Sequence, residues 1–287
     1  MRPVLIPLAE RLGRFALQRR GFVTCWVPTP TGVLHAFDAS GRGALPTIVL
    51  LHGIGSNATP FAPVMVRLAR HARRIVALDY PGHGFSPRSS EPLTTEVLFG
   101  AVTTALDGLL AGDRAIVVGN SLGGAVALHY ARERSERVRG LVLLSPAGAR
   151  STEQEWRALK AAFDLRSRGD AVGFLGRVYH RMPRIAALVA HELPGSLLRP
   201  AVRELLASTT EAHFAAPEAL AALRMPVLLV WGRSERLLPD GHLAYFREHL
   251  PPHAVIERPE GFGHCPHVDA PRELAARIVA FARGAMA

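Results

Sequence analysis

The chain has 287 residues, of which 48% are hydrophobic, a length and an apolar content that can bury a large core in one domain, with or without an insertion. Its two cysteines, Cys25 and Cys265, lie far apart in sequence and exclude both a disulfide framework and a cysteine-based metal site. The net charge of +10 comes from arginines spread over helices and loops with few aromatic residues between them, which argues against a nucleic-acid partner.

Residues 1–20 predict an amphipathic helix. Its apolar positions follow helical spacing and are Leu5, Leu8, Ala9, Leu12, Phe15 and Ala16, and the polar positions opposite them are Glu10, Arg11, Arg14 and Gln18. Such a helix either lies over the domain's own surface or, through residues 4–20, makes a weak contact with an anionic membrane surface or forms part of a substrate entrance. Polar residues and Pro7 interrupt the apolar stretch too early for a secretory signal, so we expect a cytoplasmic protein.

From residue 21 onward, strand patterns alternate with helix patterns. The predicted strands are 22–27, 33–37, 47–51, 74–78, 115–118, 138–144, 227–231 and 254–257, and the predicted helices are 61–70, 94–110, 124–131, 241–250 and 272–283. The first two strands form a hairpin, and apolar strands separated by helices are typical of a parallel sheet with both faces covered. The sequence therefore predicts the α/β class, with a doubly wound, mostly parallel eight-stranded sheet.

Between Pro146 and Pro226 this alternation stops. Short helical patterns at 153–163, 170–180, 185–191 and 199–207 are broken by prolines. A helical insertion of this length between two strands predicts a cap over one end of the sheet, where it would shape a binding pocket. We therefore expect a core of residues 21–146 and 226–287 and a helical cap of residues 147–225.

A sharp turn from strand to helix is predicted at residues 119–123. The sequence Gly-Asn-Ser-Leu-Gly follows a β-branched run and precedes small and apolar residues that suit a helix packed on a sheet. The two glycines relieve crowding, so that the Ser121 hydroxyl is exposed and the Leu122 N–H lies at a helix N-terminus. Ser121 is therefore the candidate nucleophile, and the Leu122 N–H is a candidate oxyanion donor.

Three more segments follow strands and complete an acyl-transfer site. The loop His52-Gly53-Ile54 follows strand 47–51 and offers the Ile54 N–H as the second oxyanion donor. Glu235 follows strand 227–231, and His264 follows the last strand. Serine is a poor nucleophile at its free pKa, so His264 is the candidate general base and Glu235 the carboxylate that stabilises the imidazolium, with Asp240 as the substitute acid.

Together with the segment Asp79-Tyr80-Pro81-Gly82-His83-Gly84-Phe85-Ser86, these motifs make the chain resemble the α/β-hydrolases with a helical cap, over nearly its whole length. The resemblance implies the α/β-hydrolase fold and a serine hydrolase of the esterase or meta-cleavage hydrolase-like branch. Aspartate is usual in this family at the position of Glu235, and glutamate is a known variant. No metal or other cofactor is expected.

The leading interpretation is a serine carboxylesterase that cleaves a small hydrophobic ester through an acyl-enzyme on Ser121. The carbon–carbon bond hydrolases of the meta-cleavage type are similar to this chain in the serine turn of residues 119–124, which we call the elbow. Those hydrolases tend to have a more glycine-rich oxyanion loop than His52-Gly53-Ile54 and a tryptophan at the position of Cys265. A cofactor-free haloperoxidase or perhydrolase uses the same triad, and a ligand receptor on a hydrolase scaffold is the non-enzymatic alternative.

The apolar residues of the cap predict the lining of the binding pocket. Phe174, Tyr179 and Met182 are the foremost candidates, and the others are Phe163, Leu175, Val178, Ile185, Leu188 and Val189.

Overall fold

An eight-stranded sheet forms the centre of the protein in the computed structural model, which describes residues 3–197 and 199–286. Its strands are β1 (Val23–Thr29), β2 (Gly32–Ser40), β3 (Thr47–Leu51), β4 (Arg74–Leu78), β5 (Ala115–Asn120), β6 (Val138–Leu144), β7 (Val227–Val230) and β8 (Val255–Glu257). Their order is β1-β2-β4-β3-β5-β6-β7-β8; β1 pairs antiparallel with β2 and β2 with β4, and all other pairs are parallel. The predicted α/β class and mostly parallel eight-stranded sheet are confirmed.

Helices cover both faces of this sheet. They are α1 (Leu5–Gln18), α2 (Ala62–Leu68), α3 (Thr95–Leu110), α4 (Leu122–Glu133), α5 (Glu153–Ala162), α6 (Arg168–Val178), α7 (Arg184–Val189), α8 (Leu193–Leu197), α9 (Pro200–Ser208), α10 (Pro217–Ala221), α11 (Asp240–His249), α12 (Pro266–Asp269) and α13 (Pro271–Gly284). Alternate strand residues belong to two separate cores: Val49 and Val117 pack with α3 and α4, and Ile48 and Ile116 pack with α2 and α13. This alternation explains why the inner strands are apolar throughout.

The strand order reverses direction between β3 and β5, since the chain runs from β3 outward to β4 and from β5 outward to β6. In an open parallel sheet, the crevice outside the carboxyl ends of the strands at such a reversal is the usual place for a ligand site. The loop that carries His52 follows β3, and the turn at Ser121 follows β5. The topology therefore brings these two segments to the same edge of the sheet.

Among the described residues between β6 and β7 there are six helices, α5 to α10. We call residues 147–225 the helical insertion. Two of the prolines expected to break its helices instead start new short ones: Pro217 is the first residue of α10, and Pro194 is the second of α8. Proline is tolerated there because the first N–H groups of a helix have no partner within it.

Helix α1 lies on the domain through the face opposite to its apolar stripe. Leu17 is buried, and Glu10 accepts a hydrogen bond from Asn57 Nδ2 at 2.8 Å. The predicted apolar positions Leu5, Leu8, Leu12 and Phe15 are 39% to 61% exposed. The helix therefore lies on the domain surface with its apolar stripe turned to solvent, because Leu17 and polar contacts hold the other face. No described helix is long and apolar enough to cross a membrane.

Candidate active site

The turn after β5 holds Ser121 in a strained backbone conformation. Its φ of 54° and ψ of −119° are unusual for a residue with a side chain. A Cβ on Gly119 would lie 2.0 Å from the carbonyl oxygen of Gly123, and one on Gly123 would lie 2.2 Å from that of Leu51. The two glycines are therefore needed by close backbone packing, which lets the turn lift Ser121 above the end of the strand.

Two backbone N–H groups beside Ser121 are free to bind an anion. Leu122 is the first residue of α4, and Ile54 lies in the loop after β3. In residues 3–197 and 199–286, neither N–H donates a hydrogen bond. A Cβ added to Gly53 would lie 3.3 Å from Ser121 Cβ, so the loop with Ile54 passes directly beside the serine. Donors left free at a helix start and a tight loop suit an oxyanion hole.

His52 fixes the shape of this loop. Its Nδ1–H donates to the carbonyl oxygen of Gly53 at 2.8 Å, and its Nε2 accepts a hydrogen bond from the Tyr80 N–H at 3.2 Å. Burial lowers the pKa of His52 to about 4, so that the ring is neutral at neutral pH and can donate with one nitrogen and accept with the other. His52 thus orients the loop and is not a candidate base.

Glu235 and His264 form a buried pair. Glu235 Oε2 lies 2.8 Å from His264 Nδ1, and Glu235 Oε1 accepts hydrogen bonds from the N–H groups of Leu237 and Leu238 at 2.8 and 3.0 Å. Burial disfavours the charged carboxylate, but its charge interaction with His264 and its hydrogen bonds outweigh burial and lower the pKa of Glu235 to about 2. The carboxylate is therefore ionised and aligned to hold the imidazole.

Asp240, the substitute acid, lies elsewhere. It is the exposed first residue of α11. The structure therefore places Glu235, and not Asp240, against His264.

Ser121 and His264 line the same cavity. The hydroxyl of Ser121 takes part in no hydrogen bond among the residues that the structure describes, so the contact between Oγ and the imidazole is not formed in this state. Catalytic hydrogen bonds are often long before substrate binds and tighten in the complex. Ser121, His264 and Glu235 therefore gather at one edge of the sheet, and they are the residue types that nucleophilic acyl transfer uses.

Two side chains that the sequence did not single out hold the histidine loop. Asn120 Nδ2 donates to the carbonyl oxygens of Leu144 and His264 at 3.0 and 2.8 Å, which ties the loop to the ends of β5 and β6. Asp269 accepts hydrogen bonds from the N–H groups of Gly263 and His180 at 2.8 and 2.9 Å. Asn120 lies inside the recognised motif, whereas no local pattern marks Asp269.

Two apolar cavities meet at Ser121, Ile54, Phe163 and Leu237. The Trp156 cavity, of about 80 Å³, is also lined by Leu122, Leu159, Leu205, Leu206, Phe214 and Leu238. The Tyr179 cavity, of about 130 Å³, is also lined by Phe174, Leu175, Val178, Tyr179, Leu193, Leu197 and His264. Among the described residues, no Asp, Glu, Lys or Arg lines either cavity. The walls of both cavities are therefore mainly apolar and carry no acidic or basic side chain of these four types.

The predicted lining residues divide between the cavity and the outside. Phe174 and Tyr179 line the Tyr179 cavity. Met182 lines neither cavity and instead packs against the apolar cluster of the helical insertion, and Ile185 and Leu188 are 66% and 63% exposed. The expectation for Ile185 and Leu188 is wrong, because α7 turns these two side chains to solvent.

The Trp156 cavity continues toward the surface. An outer cleft of about 530 Å³ shares Phe99, Ala125, Gly148, His213 and Phe214 with it. Within the described ranges, no group of three or more His, Cys, Asp or Glu residues is arranged to hold a metal ion, and Cys25 and Cys265 are free thiols.

Comparisons with known proteins give the following similarities. A model of the alpha/beta hydrolase family matches residues 48–277. A pimeloyl-[acyl-carrier protein] methyl ester esterase from Xanthomonas oryzae is 30% identical over 267 residues, which cover 85% of this chain and 98% of the relative.

Two solved structures share the fold at lower identity. Carboxylesterase CesB from Bacillus subtilis has a TM-score of 0.78 at 20% identity and covers 98% of this chain and 99% of its own. The 2-hydroxy-6-oxo-6-phenylhexa-2,4-dienoate hydrolase from Rhodococcus has a TM-score of 0.77 at 24% identity, with coverages of 91% and 99%.

Proposed function

This chain belongs to the alpha/beta hydrolase family, and we propose that within it the protein is a serine carboxylesterase that cleaves a hydrophobic ester through an acyl-enzyme on Ser121. The observation that carries this proposal is the position of Ser121 where two uncharged apolar cavities meet, with the Glu235–His264 pair beside one of them. An ester has an acyl part and an alcohol part on either side of its carbonyl carbon. Two cavities that meet at a nucleophile match that shape.

In the proposed first step, Ser121 Oγ attacks the ester carbonyl while His264 Nε2 accepts its proton. Glu235 holds Nδ1–H of His264 at 2.8 Å, so Nε2 is the free nitrogen. The ionised carboxylate then stabilises the imidazolium that forms. The backbone N–H groups of Ile54 and Leu122 bind the oxyanion, and each is worth about 2.7–4 kcal/mol if it is well placed.

In the second step, the imidazolium gives its proton to the departing alcohol, and the acyl group remains on Ser121. Water then attacks the acyl-enzyme, with His264 again as general base, and releases the carboxylic acid. The apolar cavities hold the two parts of the ester in place but provide no charged group for the reaction.

The volumes of the cavities indicate the size of the ester. At about 10–15 Å³ for each water-sized group, the Trp156 cavity of about 80 Å³ holds about five to eight such groups. This is the size of a short or medium acyl chain, and a longer chain could extend into the outer cleft. The relative named for a methyl ester esterase supports a small alcohol as leaving group.

The charge of the cavities argues against the carbon–carbon bond hydrolase. Its substrate carries a carboxylate, and burying an ionised carboxylate without a partner is costly. No Lys or Arg among the described residues lines either cavity. A perhydrolase uses the same triad, so only its reaction distinguishes it from an esterase. It needs peroxide and forms a peracid.

The experiment is an activity panel combined with covalent labelling. Nitrophenyl acetate, butyrate and octanoate, a methyl ester of a seven-carbon acid and a ring-cleavage dienoate are assayed with the wild type and Ser121→Ala. We expect hydrolysis of the esters, no turnover of the dienoate, and no activity in Ser121→Ala. A sulfonyl fluoride should add one group to the wild type, located on Ser121 by peptide mass analysis. Turnover of the dienoate in preference to every ester, or a label on a different serine, would contradict the proposal.

A further inference from the structure

Helix α1 presents an unpartnered apolar stripe to solvent. Leu5, Leu8, Leu12 and Phe15 lie on one side of the helix, and Val4 extends the stripe at its start with 66% exposure. A surface helix of a globular protein normally turns such a stripe to the core. Contiguous exposed apolar surface of this kind marks an interaction site.

The rotation of α1 that exposes the stripe is fixed by specific contacts. Glu192, buried within the helical insertion, accepts hydrogen bonds from the N–H groups of Val4, Leu5 and Ile6 at 2.9, 2.8 and 2.8 Å. A carboxylate at this position satisfies the free donors of the helix start and its positive dipole end. Farther along, a Cβ on Gly13 would lie 2.2 Å from Thr59 Cγ2, so the helix body sits tightly against the domain. The outward stripe is thus built into the fold.

The start of α1 is joined to a segment of the helical insertion that also exposes apolar residues. Glu192 follows α7 closely in sequence, and it holds the start of α1 beside this segment. Ile185 and Leu188 of α7, which precede Glu192 by seven and four residues, are also exposed. Directly after Glu192, α8 contributes Leu193 and Leu197 to the Tyr179 cavity. The apolar surface is thus connected through one short segment to the wall of the candidate active site.

Exposed arginines lie on α1 and close in sequence to α1 and α7. The exposed arginines are Arg11 on α1, Arg19 and Arg20 directly after it, Arg181 three residues before α7, and Arg184 at the first position of α7. In the part of the chain that the structure describes, none of these five arginines forms an ion pair. The one acidic residue of α1, Glu10, faces the domain. The exposed side of α1 therefore combines an apolar stripe with unpaired positive charge on the helix and directly after it.

We propose that this surface, which we call the α1–α7 face, docks the protein on an anionic lipid bilayer, with the stripe of α1 in the headgroup–acyl boundary. A convex apolar ridge with cationic flanks is the form of helices that lie in the interface plane of a membrane. Exposed arginines next to such a ridge are attracted by anionic headgroups. A second copy of the chain is a poorer occupant, because it would bring the unpaired arginines of two faces together.

Docking also has a consequence for catalysis, which rests on the proposed esterase function. An ester dissolved in the bilayer would meet the protein at α7 and α8, beside the Tyr179 cavity. The bilayer-bound enzyme should therefore favour esters that partition into lipid over soluble esters of the same acyl group.

The test is co-sedimentation of the full chain with vesicles of phosphatidylcholine, with and without phosphatidylglycerol, at low and high salt. We expect the wild type to bind the anionic vesicles. Leu12→Ser/Phe15→Ser should lower the partition coefficient at least about ten-fold, because two exposed apolar side chains no longer enter the lipid. Arg19→Gln/Arg20→Gln should lower the partition coefficient about five-fold for each charge removed, and only on anionic vesicles at low salt. The matched control is Val255→Ser, an exposed apolar residue of β8 at one edge of the sheet.

Activity on a soluble butyrate ester, measured in parallel, separates the two proposals. All variants should keep the wild-type rate on it, and the preference for a vesicle-dissolved ester should fall only in the α1 variants. Docking is overturned if the wild type does not bind anionic vesicles, if the serine and control variants bind alike, or if the wild type is a dimer that Leu12→Ser/Phe15→Ser separates without lipid. Absence of ester hydrolysis with intact sedimentation would instead overturn the esterase and leave docking in place.

Discussion

Replacing Glu235 by glutamine keeps the shape of the side chain but removes its charge and one acceptor. In the wild type, Oε1 accepts two backbone N–H groups, from Leu237 and Leu238, and Oε2 faces His264 Nδ1. A glutamine amide has one oxygen and one NH₂ group. The two backbone donors fix the oxygen on their side, so the NH₂ group must point at His264.

This orientation forces His264 into the wrong tautomer. Nδ1 must then accept a hydrogen bond, so the ring proton moves to Nε2, which can no longer take the proton of Ser121. The imidazolium would also lose the buried carboxylate that stabilises it, whose pKa of about 2 shows that it is ionised in the folded state. We expect kcat to fall about 10⁴-fold, the loss known when a triad carboxylate becomes an amide. This corresponds to about 5 kcal/mol of transition-state stabilisation.

The assay is kcat and KM on a nitrophenyl butyrate ester, with thermal melts to show that each variant is folded. Asp240→Asn is the matched control: Asp240 is exposed at the start of α11, so kcat should change less than about two-fold, and stability should fall by about 0.3–1 kcal/mol through the helix dipole. Glu235→Asp withdraws the carboxylate by about one bond length, ~1.5 Å, and should cost about 10–100-fold. If Glu235→Gln keeps more than about a tenth of kcat, or if Asp240→Asn loses as much, the reasoning is refuted.

Three further predictions concern the pocket, the pH dependence of stability and the elbow. Phe174→Ala should change the ratio of kcat/KM for octanoate and acetate esters by the equivalent of about 1–3 kcal/mol, because Phe174 lines the Tyr179 cavity. If kcat/KM changes by the same factor for both esters, Phe174 does not have that role. Burial lowers the pKa of His52 to about 4 and those of His83 and His267 to about 3, from 6.5, so below pH 6.5 the unfolded chain binds protons that the folded chain does not. Urea denaturation should therefore show that the free energy of unfolding falls from pH 7 to pH 5 by on the order of 2 kcal/mol for each histidine. In His267→Phe this fall should be smaller by the contribution of one histidine. A wild type that is equally stable at both pH values would contradict the prediction. Gly123→Ala should unfold at markedly lower temperature or lose activity, since its Cβ would lie 2.2 Å from a strand carbonyl oxygen, and a variant with normal melting and normal activity would show that the elbow tolerates a side chain.

Several parts of this protein can be read from local sequence. The eight strands and most helices follow from apolar runs and helical periodicity, because burial on both faces of a parallel sheet leaves a continuous hydrophobic signature. Ser121 stands out because the turn that presents it needs glycines at fixed positions. The places of Glu235 and His264 after strands predict their role, since the carboxyl ends of parallel strands gather at one edge of the sheet.

Other parts depended on contacts between distant segments. The sequence left Glu235 and Asp240 both open, and only the direction of each side chain in the fold places Glu235 against His264. The anchoring of the histidine loop by Asp269 has no local pattern, because its partners Gly263 and His180 come from two different parts of the chain. The cavities on either side of Ser121 are likewise assembled from the elbow, the oxyanion loop and the helical insertion.

Helix α1 most clearly separates what the sequence determines from what the tertiary structure decides. Its sequence determines an amphipathic helix with one apolar stripe, since helical spacing alone sets which side chains share a face. Its rotation on the domain was decided by Glu192, which holds its first N–H groups, and by Asn57, which holds Glu10. These contacts join residues far apart in sequence and turn the apolar stripe outward, because the periodicity of a helix defines its faces but not which of them its neighbours will cover.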